Sequence, residues 1–192
     1  MTKVVNILGG SGLGKSTTAA GLYYKMKLNG YHVELVREYV KNWMWEERTI
    51  GEYDQIFIAA NQAKSEYDLY GKVDWVITDS PMILAPVYEE YYSSPGTIRE
   101  SVVKLMNKAK NTGVEHINFL LKRNKLFDTR GRRETLEEAK EVDKLVQNIL
   151  EQENIQYQVI DCKDNERVDK ILEILNSKYN IHGGKLNGLD NS

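Results

Sequence analysis

The chain has 192 residues, 41% of them hydrophobic and 28% charged, with a net charge of −2. That composition fits one domain with a sizeable core and excludes both a globally basic protein and an acidic disordered chain. One cysteine, Cys162, rules out an internal disulfide and a cysteine zinc cluster, and His32, His116 and His182 are too scattered for a short metal motif.

In chain order, Lys3–Leu8 is a short β-branched and apolar run ending in Gly9-Gly10, which predicts a buried strand. The start MTKVVNILGG does not read as a signal peptide, because its apolar run stops at glycines. No stretch approaches 18 consecutive apolar residues, so no membrane span or membrane partner is expected and a cytoplasmic location is. Ser16–Asn29 has helical spacing of Ala19, Ala20, Leu22, Tyr23 and Met26, with Gly30 at the C-terminal glycine position. Tyr31–Val36 reads as a second strand. Glu52–Tyr70 predicts a long helix with Ile56, Phe57, Ala59, Ala60 and Ala63 on its inner face. Val73–Thr78 is a third strand. Thr97 and Glu100 form a predicted capping box for a helix running to about Asn111, which Gly113 ends. Glu115–Leu121 is a fourth strand. Thr135 and Glu138 form a second box, before a helix burying Ala139, Val142, Leu145, Val146 and Ile149. Gln156–Ile160 is the fifth strand and Glu166–Lys178 the last helix. Residues 180–192, with three glycines (183, 184 and 188), read as a loose or disordered tail. Residues 1–179 then form a three-layer α/β/α domain on a five-stranded parallel sheet.

The most specific motif is Gly9-Gly10-Ser11-Gly12-Leu13-Gly14-Lys15-Ser16, which matches G-x-x-x-x-G-K-[ST] between a strand and a helix. Glycines let backbone N–H groups turn around a phosphate, and the helix start adds a positive dipole end. Gly10, Ser11, Gly12, Leu13, Gly14, Lys15, Ser16 and Thr17 are therefore the expected ATP-binding residues. Lys15 is expected to reach the β- and γ-phosphates, and the Ser16 hydroxyl to hold Mg²⁺. A dinucleotide-type G-x-G-x-x-G is absent. Asn107-Lys108-Ala-Lys110 and Asn124-Lys125-Leu-Phe127 both lack the aspartate of the guanine-reading N-K-x-D motif, which argues against a GTPase.

Chemistry in open parallel sheets gathers at the strand C-terminal ends. The second strand ends in Arg37-Glu38-Tyr39 and the third in Thr78-Asp79-Ser80-Pro81. Asp79 is the expected magnesium partner beside Ser16, Glu38 the expected proton acceptor, and Arg37 a residue for an acceptor phosphate or the γ-phosphate. Which of Glu38 and Asp79 is the general base stays open at this stage, and so does a first-turn or cap role for either acid. Gln62 reads either as a base-edge contact or as a solvated helical glutamine. Trp43, Trp45, Tyr88, Tyr91 and Tyr92 fall in segments placed to line an acceptor pocket, though each alone also fits core or surface. Residues 122–133 carry six basic side chains and one acidic one, the pattern of a lid over about 122–134. Its arginines, Arg130 and Arg132 first, would neutralise transferring charge. A solvated basic loop or a nucleic-acid contact is the competing reading.

A phosphate loop, acids at two strand ends and a late arginine-rich lid resemble the P-loop kinases of nucleosides and nucleotides. Arg37-Glu38-Tyr39, Gln62 and Thr78-Asp79-Ser80-Pro81 narrow the resemblance. They are similar to the small kinase group that contains the ribosylnicotinamide kinases and phage-encoded kinases of hydroxymethylated pyrimidines. The third strand lacks the D-R or E-R pair usual in thymidylate and deoxynucleoside kinases. The resemblance implies an ATP- and Mg²⁺-dependent kinase acting on a nucleoside, nucleotide or modified-base hydroxyl, with Arg37, Tyr39 and Gln62 at the acceptor. DNA carrying 5-hydroxymethyl-pyrimidine is an alternative acceptor, and a regulatory or nucleic-acid-binding ATPase the alternative class. The oligomeric state is open, a homodimer included.

Overall fold

The computed structural model describes residues 1–51, 54–92, 98–124 and 134–179. The expected helical residues 52–53, the Thr97 cap, the lid residues 125–133 with Arg130 and Arg132, and the tail 180–192 lie outside the described residues.

Five strands form one parallel sheet in the order β2-β3-β1-β4-β5: β1 (Lys3–Leu8), β2 (Val33–Val36), β3 (Trp75–Thr78), β4 (Glu115–Leu121) and β5 (Gln158–Ile160). All five were legible in the sequence, with β2, β3 and β5 two residues shorter at their N-terminal ends. Side chains alternate across the sheet, so each strand feeds two cores. Val5, Ile7, Ile77 and Phe119 pack with α1 (Lys15–Leu28) and α7 (Arg167–Tyr179) on one face. Leu8 and Leu120 pack on the other face with α4 (Leu84–Tyr92), α5 (Arg99–Asn111) and α6 (Leu136–Gln152). These are the three layers expected.

Two helices escaped the sequence reading. The five-residue α2 (Lys41–Trp45) is too short for a periodic signal. In α4, Leu84, Ala85, Pro86 and Val87 are all buried, so no polar side marks its first turn, where Pro86 is tolerated. The helix α3 (Asp54–Tyr67) exists where expected, with Ala59 buried and Ala63 half-buried as expected, but its inner face is rotated from the one expected. Ile56 and Phe57, assigned inward, are 51% and 50% exposed, and Ala60 is exposed too; the buried stripe is Gln55, Ala59, Gln62 and Glu66. The capping box of α6 forms as expected: Thr135 accepts from the Glu138 N–H and Glu138 accepts from the Thr135 N–H. At α5 the first described residue is Ile98, whose N–H donates to buried Glu89 at 3.1 Å, while Glu100 pairs with Lys104 at 2.6 Å.

Candidate active site

β1 lies at the centre of the sheet and delivers the chain from Leu8 into the glycine loop at its C-terminal edge. Gly9, Gly12 and Gly14 take φ of 135°, 78° and 83°, a region side chains disfavour. Leu13 is the loop's anchor: its side chain is buried in the core beneath the sheet. Gly14 precedes α1 without a side-chain cap, and the first turn holds no acid, which leaves the helix start suited to an anion. Lys15 donates its Nζ to the Gly10 carbonyl at 2.8 Å.

The ends of β2 and β3 stand beside this loop. Asp79 accepts the Glu38 N–H at 3.0 Å, so one carboxylate oxygen ties the two strand ends together. Burial pushes the Glu38 carboxyl above the ordinary range; nearby Lys15 and Lys41 pull it down, and Asp79 and Glu134 push it up. Gln62 is 3% exposed, which excludes the solvated reading. It accepts the Tyr39 N–H at 3.0 Å, and its amide nitrogen lies 3.5 Å from the Thr78 hydroxyl. Thr78 also accepts the Ser80 N–H at 3.2 Å. Fully buried Glu66 accepts the Met82 N–H at 3.2 Å and the Tyr70 hydroxyl at 3.4 Å. Its carboxyl is pushed up to about 8, chiefly by burial. The polar stripe of α3 thus fixes the loop that follows β3.

A cavity of about 250 Å³ joins these parts. It is lined at one end by Ser11, Gly12, Leu13, Gly14, Lys15, Ser16 and Thr17, in the middle by Glu38, Asp79, Ser80 and Gln62, and at the other end by Val40, Ile50, Ile58, Met82, Leu84, Tyr88 and Tyr92. Gly10 is in the loop but does not line it. Arg37 is exposed and does not line it, and Tyr39 turns its ring into an aromatic cluster with Trp43 and Phe57. Arg48 lies over the Trp43 ring at 3.6 Å, Trp45 is exposed, and Tyr91 packs on Tyr92 without lining the cavity. Ser16 and Asp79 both face the cavity and offer hard oxygen donors, which suit Mg²⁺. No cluster of three or more His, Cys, Asp or Glu side chains fit for a metal occurs among the described residues.

Two arginines and an acid escaped the sequence reading. Arg123, at the root of the basic segment, pairs with Asp143 at 2.7 Å and donates to the Ser11 carbonyl at 2.8 Å. Arg167, fully buried, donates to the Leu13 carbonyl and, at 2.8 Å, to the Lys122 carbonyl. Their spacing from the loop, more than 100 residues in chain, leaves no local pattern to detect.

No curated protein matches the chain by sequence. Among solved structures, a NadR protein in complex with NR superposes with a TM-score of 0.72 at 15% identity, over 97% of this chain and 54% of that one. The chain therefore spans about half the length of that protein. The deoxyadenosine kinase from M. mycoides, with dCMP and dCDP bound, matches with a TM-score of 0.60 at 16% identity, over 91% of this chain and 99% of that one. The thymidylate kinase from Ehrlichia chaffeensis matches with a TM-score of 0.59 at 16% identity, over 91% and 100%. At these identities the likeness establishes the fold, that of the P-loop nucleoside and nucleotide kinases. In sequence, the AAA domain family matches residues 4–167, and the chain belongs to that family.

Proposed function

We propose that the chain is an ATP- and Mg²⁺-dependent kinase that transfers the γ-phosphate to a hydroxyl of a nucleoside-type acceptor. The observation that carries this reading is the single cavity running from the phosphate loop, past Glu38 and Asp79, to an apolar and aromatic end. A switch or regulatory ATPase needs room for water beyond the γ-phosphate; this cavity continues into a space with Tyr88 and Tyr92, suited to a planar ring. The kinases whose fold the chain shares support the same reading.

In this mechanism the loop amides and Lys15 hold the ATP phosphates. Ser16 and Asp79 would hold Mg²⁺, which would supply charge neutralisation at the ATP phosphates. Glu38 takes the proton from the acceptor hydroxyl, since its elevated affinity for protons suits a general base. Arg130 and Arg132 act from the basic segment on the transferring charge. The acceptor itself is uncharged at its far end. Among the described residues the lining holds two cations, Lys15 and Lys41, against the acids Glu38, Asp79 and Glu134, and no arginine. At the far end Glu134 accepts the Tyr92 hydroxyl, so an acceptor that already carried a phosphate would meet a carboxylate there.

A labelled γ-phosphate transfer screen tests the proposal, spanning nucleosides, nucleoside monophosphates, ribosylnicotinamide and DNA with hydroxymethylated bases. Transfer to a nucleoside, abolished in Lys15→Ala by about 10²–10³-fold or more, is the expected result. Phosphate release that no acceptor accelerates makes the protein an ATPase and overturns the proposal. Preference for a monophosphate overturns the assignment of an uncharged acceptor.

A further inference from the structure

The glycine loop is gripped from behind. Arg123 donates Nη2 to the Ser11 carbonyl at 2.8 Å and Nε to Asp143 Oδ2 at 2.7 Å. Asp143, on α6, uses its other oxygen to accept the Gly10 N–H at 2.7 Å. Arg167, the first residue of α7, donates Nη1 to the Leu13 carbonyl and pairs with Asp164 at 2.9 Å. None of Arg123, Asp143 and Arg167 lines the cavity.

The two carbonyls held this way belong to alternate peptide units. In a trans peptide the C=O and the N–H point in opposite directions. Turning the Ser11 and Leu13 carbonyls onto guanidinium groups turns the N–H groups of Gly12 and Gly14 the other way. Gly12 and Gly14, at φ 78° and 83°, are the residues that accept this alternation, and both line the cavity. Burying a guanidinium as deeply as Arg167 is costly unless hydrogen-bond partners replace water, and here a loop carbonyl is one of them.

We propose that Arg123, oriented by Asp143, and Arg167 are positioning residues that hold the Gly12 and Gly14 N–H groups aimed at the nucleotide phosphates before the nucleotide binds. The same groups fix the root of the basic segment, because Arg167 also holds the Lys122 carbonyl at 2.8 Å. This inference rests on the reading that the loop binds nucleotide phosphates.

Calorimetric titration of the full chain with ATP and with inorganic tripolyphosphate, which has no base or sugar, tests the clamp. Lysine at position 123 keeps the charge but is a point donor without the planar fork that reaches Asp143 and the Ser11 carbonyl together. Arg123→Lys is expected to weaken ATP and tripolyphosphate by the same factor, about tenfold, while the ligand-free Tm stays within about 4 °C of wild type. A merely structural role would lower Tm and leave the affinity of the folded protein for tripolyphosphate unchanged. Should Arg123→Lys fail to fold, Asp143→Asn carries the same test, because its amide oxygen still accepts the Gly10 N–H while the charge that orients Arg123 is gone. Wild-type affinity in the folded variant overturns the clamp and leaves nucleotide binding standing. Failure of the wild-type chain to bind either ligand overturns the proposed function, and the clamp with it.

Discussion

In the proposed mechanism Glu38 and Asp79 divide the labour of two carboxylates by what surrounds them. Asp79 spends one oxygen on the Glu38 N–H at 3.0 Å and lines the cavity, where its carboxylate would serve a hard cation beside Ser16. Among the described residues Glu38 makes no such tie with its own carboxyl, and burial raises its proton affinity above the ordinary carboxylate value of 4.5. A base of this kind works only when ionised, so kcat/KM should fall as pH is lowered through a pKa above 4.5. Glu38→Gln should lower kcat by about 10²–10⁴-fold, leave ATP affinity nearly unchanged and erase that acid limb. A pH–rate profile of the variant that keeps the limb would assign it to another group and remove Glu38 as the base. Gln62 shows a different outcome at the same scale. The sequence offered a base-edge contact or a solvated side chain, and the structure shows it buried, with its oxygen given to the Tyr39 N–H.

At the level of elements, the strands and the glycine loop were legible because each has a local signal: short β-branched runs, glycines at fixed spacing, a capping box at Thr135. The face of α3 was not. Gln55, Ala59, Gln62 and Glu66 recur at helical spacing, but three of the four are polar, so a search for apolar periodicity chooses the wrong side. The reason is what α3 covers. Two of the three polar residues meet backbone N–H groups at strand ends, at Tyr39 and Met82, and not a greasy sheet. Local rules fail here because the element serves the site. The arginine clamp was invisible for another reason: its members come together only through topology. The junction between loop and α6 is tight enough to test. A Cβ at Gly10 would lie 2.6 Å from Asp143 Oδ1 and 2.8 Å from the Ala139 carbonyl, the latter rigid helix backbone. Gly10→Ala should therefore cost about 1–3 kcal/mol, read as a Tm lower by several degrees. An unchanged Tm would mean that α6 does not bear on the loop as closely as its contacts show.

At the scale of the molecule, two titratable groups with large shifts bear on how stability depends on pH, and they act in opposite directions. His116, on β4 beside Asn6 of β1, is held down to about 4 by burial, from an ordinary 6.5. The unfolded chain binds that proton more readily, so His116 makes stability rise as pH climbs from about 4 to 6.5. Glu66, under the loop that follows β3, is pushed up from 4.5 to about 8. The folded chain binds this proton more readily, so the contribution is full below 4.5 and is lost as pH rises through about 8. The two oppose each other between about 4.5 and 6.5, and above 6.5 His116 is neutral in both states. Between pH 6.5 and 8 the slope from this pair therefore belongs to Glu66, and stability should decline across that window. Glu66→Gln keeps an oxygen for the Met82 N–H and removes the ionisation, so its Tm should be flatter from pH 6.5 to 8 and exceed wild type at the upper end. Glu38 is raised above its ordinary value too, so its contribution to stability has the same sign as that of Glu66. A wild-type Tm that holds steady or climbs over this range would place the Glu66 proton elsewhere.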